Sequence, residues 1–198
     1  MTLDTTLRGF HYTNPRALDS MRSGCEYRRP GLLPLRRFIR LGVADGLPDE
    51  AYDGTIQGLL EPKPASWRNN EEFPGLWSYL THDICCEEEV LLLSFDVMKE
   101  DKAYVVERAH VERELYKERS LSSPVSYKEA WTLYWQSRIP VHEYRGGFSV
   151  PQLTIWSPIA FDRLRIEWRG SSDELHREAL QLRNAQCRSA TQNNPKAL

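Results

Sequence analysis

The chain has 198 residues, of which 40 % are apolar and 27 % charged, and its formal net charge at pH 7 is −2. This composition is typical of one soluble globular domain, and the longest apolar run, at residues 90–95, is too short to span a membrane. Because residues 1–8 lack the apolar core of a signal peptide, we expect a cytoplasmic protein, or an effector delivered to a target cytoplasm by another export route.

The first predicted element is a strand that carries His11 and Thr13 directly before a strong helix start. Asn14 suits the N-cap and Pro15 suits the first helical position, while Gly24 is the predicted C-terminal stop. This arrangement brings an imidazole and a hydroxyl to the mouth of a strand-to-helix turn, where a polar ligand can reach them. The alternative is that His11 is a hydrogen-bonded core or turn residue.

Two helices and a loop are predicted next. Residues 34–41 have the spacing of a short amphipathic helix, and a second helix is predicted over residues 48–60. Residues 62–74 have no hydrophobic period, so we expect a loop there that closes over a ligand.

Arginines recur between Arg8 and Arg40, whereas residues 83–118 are rich in acids. A basic face of this kind attracts phosphate, although the small net charge argues against a strong overall field for nucleic acid. The alternative is a solvated, salt-bridged surface.

The middle of the chain alternates predicted strands and helices. Strands are predicted at residues 76–81, 90–97 and 103–106, and the short charged turn between the last two favours an antiparallel hairpin. A polar helix is predicted at residues 111–117. The capping box of Ser126 with Glu129 predicts a further helix.

Two more strands are predicted at residues 152–156 and 164–168, and Ser171 with Glu174 predicts the start of a last helix, with a frayed tail from Ser189. The sequence therefore predicts the α+β class, as a single domain with split antiparallel sheets flanked by helices. We expect that domain to span residues 1–170, followed by a C-terminal helix and tail at residues 171–198.

The cysteines give no metal signature. The four cysteines form no CxxC pair, and His82 with Cys85 and Cys86 is only a fragment of a site, because no second ligand pair completes it. We expect no bound metal.

Three segments carry a resemblance to a known family. They are FHYT at residues 10–13, with the helix that ends at Ser23 and Gly24; LWSYLT at residues 76–81; and SVPQLTI at residues 149–155, followed by SPI. In this order they resemble the ADP-ribosyltransferase fold, in the branch whose site triad begins with histidine and tyrosine. That branch includes poly-ADP-ribose polymerases and DarT-type toxins, and the resemblance covers about residues 8–168.

The resemblance implies an NAD-dependent transferase that moves ADP-ribose onto a nucleic acid or protein, as a toxin, effector or defence protein. His11 would hydrogen-bond the adenosine-side ribose, Tyr12 and Thr13 would help to seat the dinucleotide, and Tyr79 would stack on the nicotinamide ring. A nucleic-acid acceptor would be held through its phosphates. The side chains implied in that contact are Arg28, Arg29, Arg36, Arg37 and Arg40.

The chain departs from the family pattern at Gln152, where the family commonly has a glutamate. An amide still hydrogen-bonds ribose hydroxyls, but it cannot stabilise an oxocarbenium-like ribose by charge, a loss on the order of a few kcal/mol. Three explanations stay open: Glu143 supplies the carboxylate, the true register differs, or the protein is an inactive relative.

Two further hypotheses stand beside the transferase. One is a catalytically degenerate binding module for a nucleotide, a nucleic acid or a protein. The other is a hydrolase or nuclease that uses His110, Glu112 and Glu114, although a surface helix with ion pairs explains these residues more simply.

Overall fold

The computed structural model describes residues 7–24, 26–27, 56–78, 89–120 and 127–193. The strands within these ranges are β1 (Leu7–Thr13), β2 (Glu26–Tyr27), β3 (Ile56–Gly58), β4 (Glu89–Val97), β5 (Ala103–Glu107), β6 (Ile139–Pro140), β7 (Pro151–Ile155), β8 (Ile159–Ala160) and β9 (Arg165–Ser171). The helices are α1 (Pro15–Gly24), α2 (Ala65–Arg68), α3 (Ala109–Ser120), α4 (Tyr127–Gln136) and α5 (Ser172–Asn193), with a 3-10 turn at Phe161–Arg163.

Two antiparallel sheets and several helices make up the described fold, which confirms the predicted α+β class. The first sheet has the strand order β1-β4-β9 and the second has the order β3-β7-β5-β6. Strands β2 and β8 form a separate antiparallel pair.

One backbone bridge joins the two sheets. Phe10 and Leu59 each donate an amide hydrogen to the other's carbonyl, at 2.9 and 2.8 Å. Gly58 permits this close approach, since a Cβ there would lie 2.8 Å from the Phe10 carbonyl oxygen. The bridge, together with the strand orders, gives the continuous sequence β9-β4-β1-β3-β7-β5-β6.

The predicted strand-to-helix unit at the start of the chain is confirmed. Strand β1 ends at Thr13 and α1 begins at Pro15. The Asn14 side-chain oxygen accepts a hydrogen bond of 2.7 Å from the Ala17 amide, which satisfies one of the helix's unpaired donors.

Buried apolar side chains form separate clusters on the two faces of these sheets. The outer face of the first sheet packs against α5 through Tyr12, Leu92 and Leu175. The second cluster lies between the sheets and includes Phe95 and Leu153. A third cluster lies between the outer face of the second sheet and helices α3 and α4; it includes Val106, Val111, Trp131, Tyr134, Trp135 and Trp156.

Two predicted elements have a different secondary structure. Residues 56–58, predicted as the end of a helix, form β3, because Ile56 and Gly58 pair with Ile155 and Leu153 of β7. Residues 76–78, predicted to be extended, are helical, and both Leu76 and Trp77 are buried in the first cluster.

The predicted hairpin between residues 90–97 and 103–106 is also wrong, although both strands exist. Strand β4 pairs with β1 and β9, whereas β5 pairs with β6 and β7. Both edges of β4 are already occupied, so the turn at residues 98–102 carries the chain from one sheet to the other.

The segment at residues 62–74 is not the open loop that the sequence predicts. It contains α2, and Trp67 and Phe73 are buried in the first cluster. The Trp67 indole donates a hydrogen bond of 2.9 Å to the Pro151 carbonyl. These contacts fix the segment against the body of the protein.

The last helix is longer than predicted. Helix α5 continues past Ser189 to Asn193, where the sequence predicts a frayed tail. Its Gln186 amide donates a hydrogen bond of 2.6 Å to the Arg68 carbonyl. Among the described residues, no helix combines the length and the apolar character that crossing a bilayer requires.

Candidate functional site

His11 lies in the middle of β1, at the seam between the two sheets. Its ring is half-buried, and its Nδ1 is 2.6 Å from the carbonyl oxygen of Gln57 in β3. A carbonyl accepts only, so this contact requires a proton on Nδ1. In the neutral ring the lone pair then lies on Nε2.

The direction of His11 follows from the alternation of side chains along β1. A Cβ at Gly9 would lie 2.7 Å from the Leu153 side chain and would also collide with Phe95, so this side of β1 faces the space between the sheets. His11 and Thr13 lie on the same side, because residues two apart in a strand share a face. The predicted ligand-binding imidazole and hydroxyl are therefore brought to one face.

Gln152 does not lie beside His11. Its amide is buried, and its Oε1 accepts a hydrogen bond of 2.9 Å from the Tyr134 hydroxyl of α4. The neighbouring Leu153 faces the space between the sheets, so Gln152 faces the opposite side of β7. The structure therefore does not bring Gln152 and His11 together in one groove.

Glu143 is also remote from His11. It lies in the exposed turn after β6, where its amide donates a hydrogen bond of 2.9 Å to the Pro140 carbonyl. Two strands separate β6 from β3, which places the two ends of this sheet on the order of 15 Å apart. Glu143 therefore follows the strand of this sheet that is farthest from β3 and the Gln57 carbonyl.

Tyr12 points to the side of β1 opposite His11. Its hydroxyl donates a hydrogen bond of 3.0 Å to the Pro62 carbonyl, and its ring meets Trp77 edge to face with 5.9 Å between the ring centroids. Burial raises the pKa of the Tyr12 phenol, so the phenol stays protonated at neutral pH. Tyr12 and His11 therefore cannot contact the same small group.

A cleft of about 520 Å³ opens on the Tyr12 side of the first sheet. Its wall includes Trp168, whose indole lies over Gly170 so closely that a Cβ at Gly170 would collide with the ring. We call it the Tyr12 cleft; it is lined by Tyr12, Glu61, Pro62, Lys63, Leu92, Trp168 and Leu175. The sequence carries no local signal for this cleft, because its walls come from four separate segments of the chain.

Several predicted site residues lie outside the described residues. They are Tyr79, the metal-site fragment His82, Cys85 and Cys86, and the arginines Arg28, Arg29, Arg36, Arg37 and Arg40. The described part of the chain holds no group of three or more histidine, cysteine, aspartate or glutamate side chains that could bind a metal ion.

The acidic residues of α3 make ion pairs. Glu112 is buried and lies 2.7 Å from Arg108, and Glu114 lies 2.6 Å from Lys117. Burial lowers the pKa of the neighbouring His110. These contacts support the ion-pair interpretation of this helix.

Glu107 is a buried carboxylate that the sequence analysis did not single out. It accepts hydrogen bonds from the amides of Ala109, Ser149 and Val150, at 3.1, 2.6 and 2.8 Å. It thereby joins the start of α3 to the segment that leads into β7. No local signal marked Glu107, because glutamate is not a preferred N-cap residue and the sequence predicts the helix only from residue 111.

No family model, no curated protein and no solved structure matches this chain.

Proposed function

We propose that this protein is an ADP-ribosyltransferase-like module that binds NAD without transferring ADP-ribose. The position of Gln152 is the observation that argues against transfer. Its amide accepts a hydrogen bond from Tyr134, on the face of β7 that points away from the space between the sheets, which His11 faces. Transfer needs negative charge beside the reacting ribose, and a buried neutral amide elsewhere does not supply it.

Support for NAD as the ligand comes from β1 and α1. The three-segment resemblance implies NAD, and the strand-to-helix unit that opens it has the expected bounds. The contact of Nδ1 with the Gln57 carbonyl fixes the orientation of the His11 ring, and the resemblance assigns a ribose hydroxyl to this imidazole. Thr13 lies on the same face and would contribute a hydroxyl to the same ligand.

The second candidate is the active transferase. It requires a carboxylate at the reacting ribose; Glu143, the residue that could supply it, is exposed and follows β6, which two strands separate from β3. In this candidate the resemblance still assigns nicotinamide stacking to Tyr79, and a nucleic-acid acceptor to the arginines between Arg28 and Arg40. Binding of DNA or RNA through these arginines would weaken as salt rises.

Thermal denaturation with and without NAD, together with an assay for released nicotinamide, tests both candidates. For the module we expect NAD to raise the melting temperature of the wild type and of His142→Ala, but not of His11→Ala, with no nicotinamide released. His142 is a matched control, because it is exposed and its Nε2 makes only a long contact of 3.3 Å to the Met98 carbonyl.

The outcomes separate the candidates. If NAD fails to stabilise the wild type, the NAD-binding proposal is wrong. If nicotinamide is released and His11→Ala abolishes the release, the transferase replaces the module. Gln152→Glu adds a further check: we expect a less stable protein that still releases no nicotinamide, since the new carboxylate would be buried against the third cluster.

A further inference from the structure

The Tyr12 cleft lies on the other side of β1 from His11, so it is separate from the proposed NAD site. Its volume of about 520 Å³ is within the range of sites that hold small organic molecules. Leu92 and Leu175 supply an apolar floor between the first sheet and α5, and both side chains are buried. The cleft therefore offers a ligand an apolar surface at one end.

The polar groups at the rim of the cleft mainly offer acceptors. The Tyr12 hydroxyl already gives its proton to the Pro62 carbonyl, so the phenol oxygen can only accept from a ligand. The Glu61 carboxylate is exposed, and within the described ranges it has neither a hydrogen bond nor an ion pair.

The cations beside the cleft share one carboxylate. The Lys63 ammonium lies 2.6 Å from one carboxylate oxygen of Glu178, and Arg68 lies 3.3 Å from the other, so Glu61 is the carboxylate of the lining that is left for a ligand. Two aromatic side chains, Tyr12 and Trp168, add rings that attract cations through their π faces. A ligand that complements this lining brings hydrogen-bond donors and positive charge to Glu61 and an apolar body to the floor.

We propose that the Tyr12 cleft binds an organic ammonium ion, with the ammonium group at Glu61 and an apolar or aromatic body against Leu92, Leu175 and Trp168. Three probes of similar shape test the charge: phenethylammonium, the neutral phenethyl alcohol, and the anion phenylpropionate. Titrations followed by protein NMR measure the affinity of each probe. We expect phenethylammonium to bind most tightly and phenylpropionate to bind most weakly. Equal binding of the alcohol, or no binding of the ammonium at millimolar concentration, would overturn the proposal.

Two variants test the location. Glu61→Gln is expected to weaken phenethylammonium by about two- to fivefold, the range that exposed ion pairs typically give. Glu71→Gln is the matched control, since Glu71 is also exposed but does not line the cleft. The Glu71→Gln variant should bind phenethylammonium with the affinity of the wild type. An unchanged affinity in Glu61→Gln would contradict the proposed position of the ammonium.

Trp168→Leu tests the aromatic wall. It is expected to weaken phenethylammonium further than Glu61→Gln, and thermal denaturation checks that the variant is folded. Because NAD would bind on the opposite face of β1, saturating NAD should not displace the probe. The two proposed sites are therefore tested independently. Displacement of the probe by NAD would show that the probe does not bind in the Tyr12 cleft.

Discussion

The side chains of Gln152 and Glu107 are both buried, and each directs its hydrogen bonds to groups of the protein itself. Gln152 accepts from the Tyr134 hydroxyl, and Glu107 accepts from three backbone amides. A buried polar group that loses such a partner bears its full cost of desolvation. Loss of the side-chain donor, the Tyr134 hydroxyl, should therefore be costly even though it removes only one heavy atom.

Removing the Tyr134 hydroxyl should destabilise the fold. In Tyr134→Phe the buried Gln152 oxygen loses its donor, and the expected loss in the free energy of unfolding is about 1–3 kcal/mol. Tyr104→Phe is the control, because no hydrogen bond of the Tyr104 hydroxyl is present among the described contacts, and its change should stay within about 0.5 kcal/mol. Urea denaturation measures both, and equal stability of the two variants would contradict this structural role of Gln152.

Ser94 should link stability to pH through Glu167. Hydrogen bonds from Ser94 and then from Arg8 lower the pKa of the Glu167 carboxyl, so its ionised form stabilises the fold at neutral pH. That contribution is lost as the pH falls through the folded-state pKa. Ser94→Ala should therefore be about 1 kcal/mol less stable than the wild type near pH 7, and the difference should shrink in acid.

Chemical denaturation at a series of pH values measures this difference. The control is the same substitution in a Glu167→Gln background, where the difference between serine and alanine should not depend on pH. A difference that stays constant with pH in the native background would show that Ser94 does not act through Glu167.

Strand β3 is the element that joins the two sheets, although it is only three residues long. It pairs with β7 along one edge, and the chain continues from Gly58 into the bridge with Phe10. The same strand supplies the Gln57 carbonyl that fixes the His11 ring. The seam between the sheets and the orientation of the candidate site thus depend on one short segment.

Gly58→Ala should weaken this seam. The new Cβ would lie 2.8 Å from the Phe10 carbonyl oxygen, and backbone atoms cannot move aside as a flexible side chain does. We expect a loss of about 1–3 kcal/mol in the free energy of unfolding. Gln57→Ala is the control, since it adds no atom at the bridge. If Gly58→Ala is no less stable than Gln57→Ala, the close approach does not constrain the fold.

Sequence signals correctly predicted the elements that are stabilised by contacts between residues close together in the sequence. Asn14 and Pro15 mark the start of α1, and Ser171 marks the start of α5, where its hydroxyl accepts a hydrogen bond of 3.2 Å from the Asp173 amide. Strand β3 was missed, because Ile56 becomes extended only by pairing with Ile155, ninety-nine residues further along the chain. Helical spacing alone cannot represent that long-range partner.

The candidate site was predicted only in part, for a related reason. Sequence order can place His11 and Thr13 on one side of a strand, since alternation is a local property. It cannot state which face of β7 meets which face of β1. The opposite orientations of Gln152 and His11 therefore emerged only from the packing of Leu153 against the Gly9 side of β1.

At the scale of the whole molecule, α5 covers the outer face of the first sheet and anchors a distant segment. Leu175 and Ala179 are buried in the first cluster. Further along the helix, Gln186 donates to the Arg68 carbonyl and accepts a hydrogen bond of 3.3 Å from the Gly75 amide. The last helix thus belongs to the same packed body as β1 and β4.

Leu175→Ala should test how far global stability depends on α5. Leu175 is 2 % exposed, so the substitution leaves a cavity, and we expect a loss of about 2–5 kcal/mol in the free energy of unfolding. Leu133→Ala is the control, because Leu133 is 41 % exposed and its loss should cost well under 1 kcal/mol. Similar effects for both variants would indicate that α5 docks only weakly.

The indole of Trp168 occupies the space that any side chain at Gly170 would need. Positions 168 and 170 are therefore expected to coevolve. A residue larger than glycine at position 170 requires a residue smaller than tryptophan at position 168. Homologous sequences should consequently show these two sites changing together, and a tryptophan two places before a glycine at the end of this strand would be a marker for recognising them.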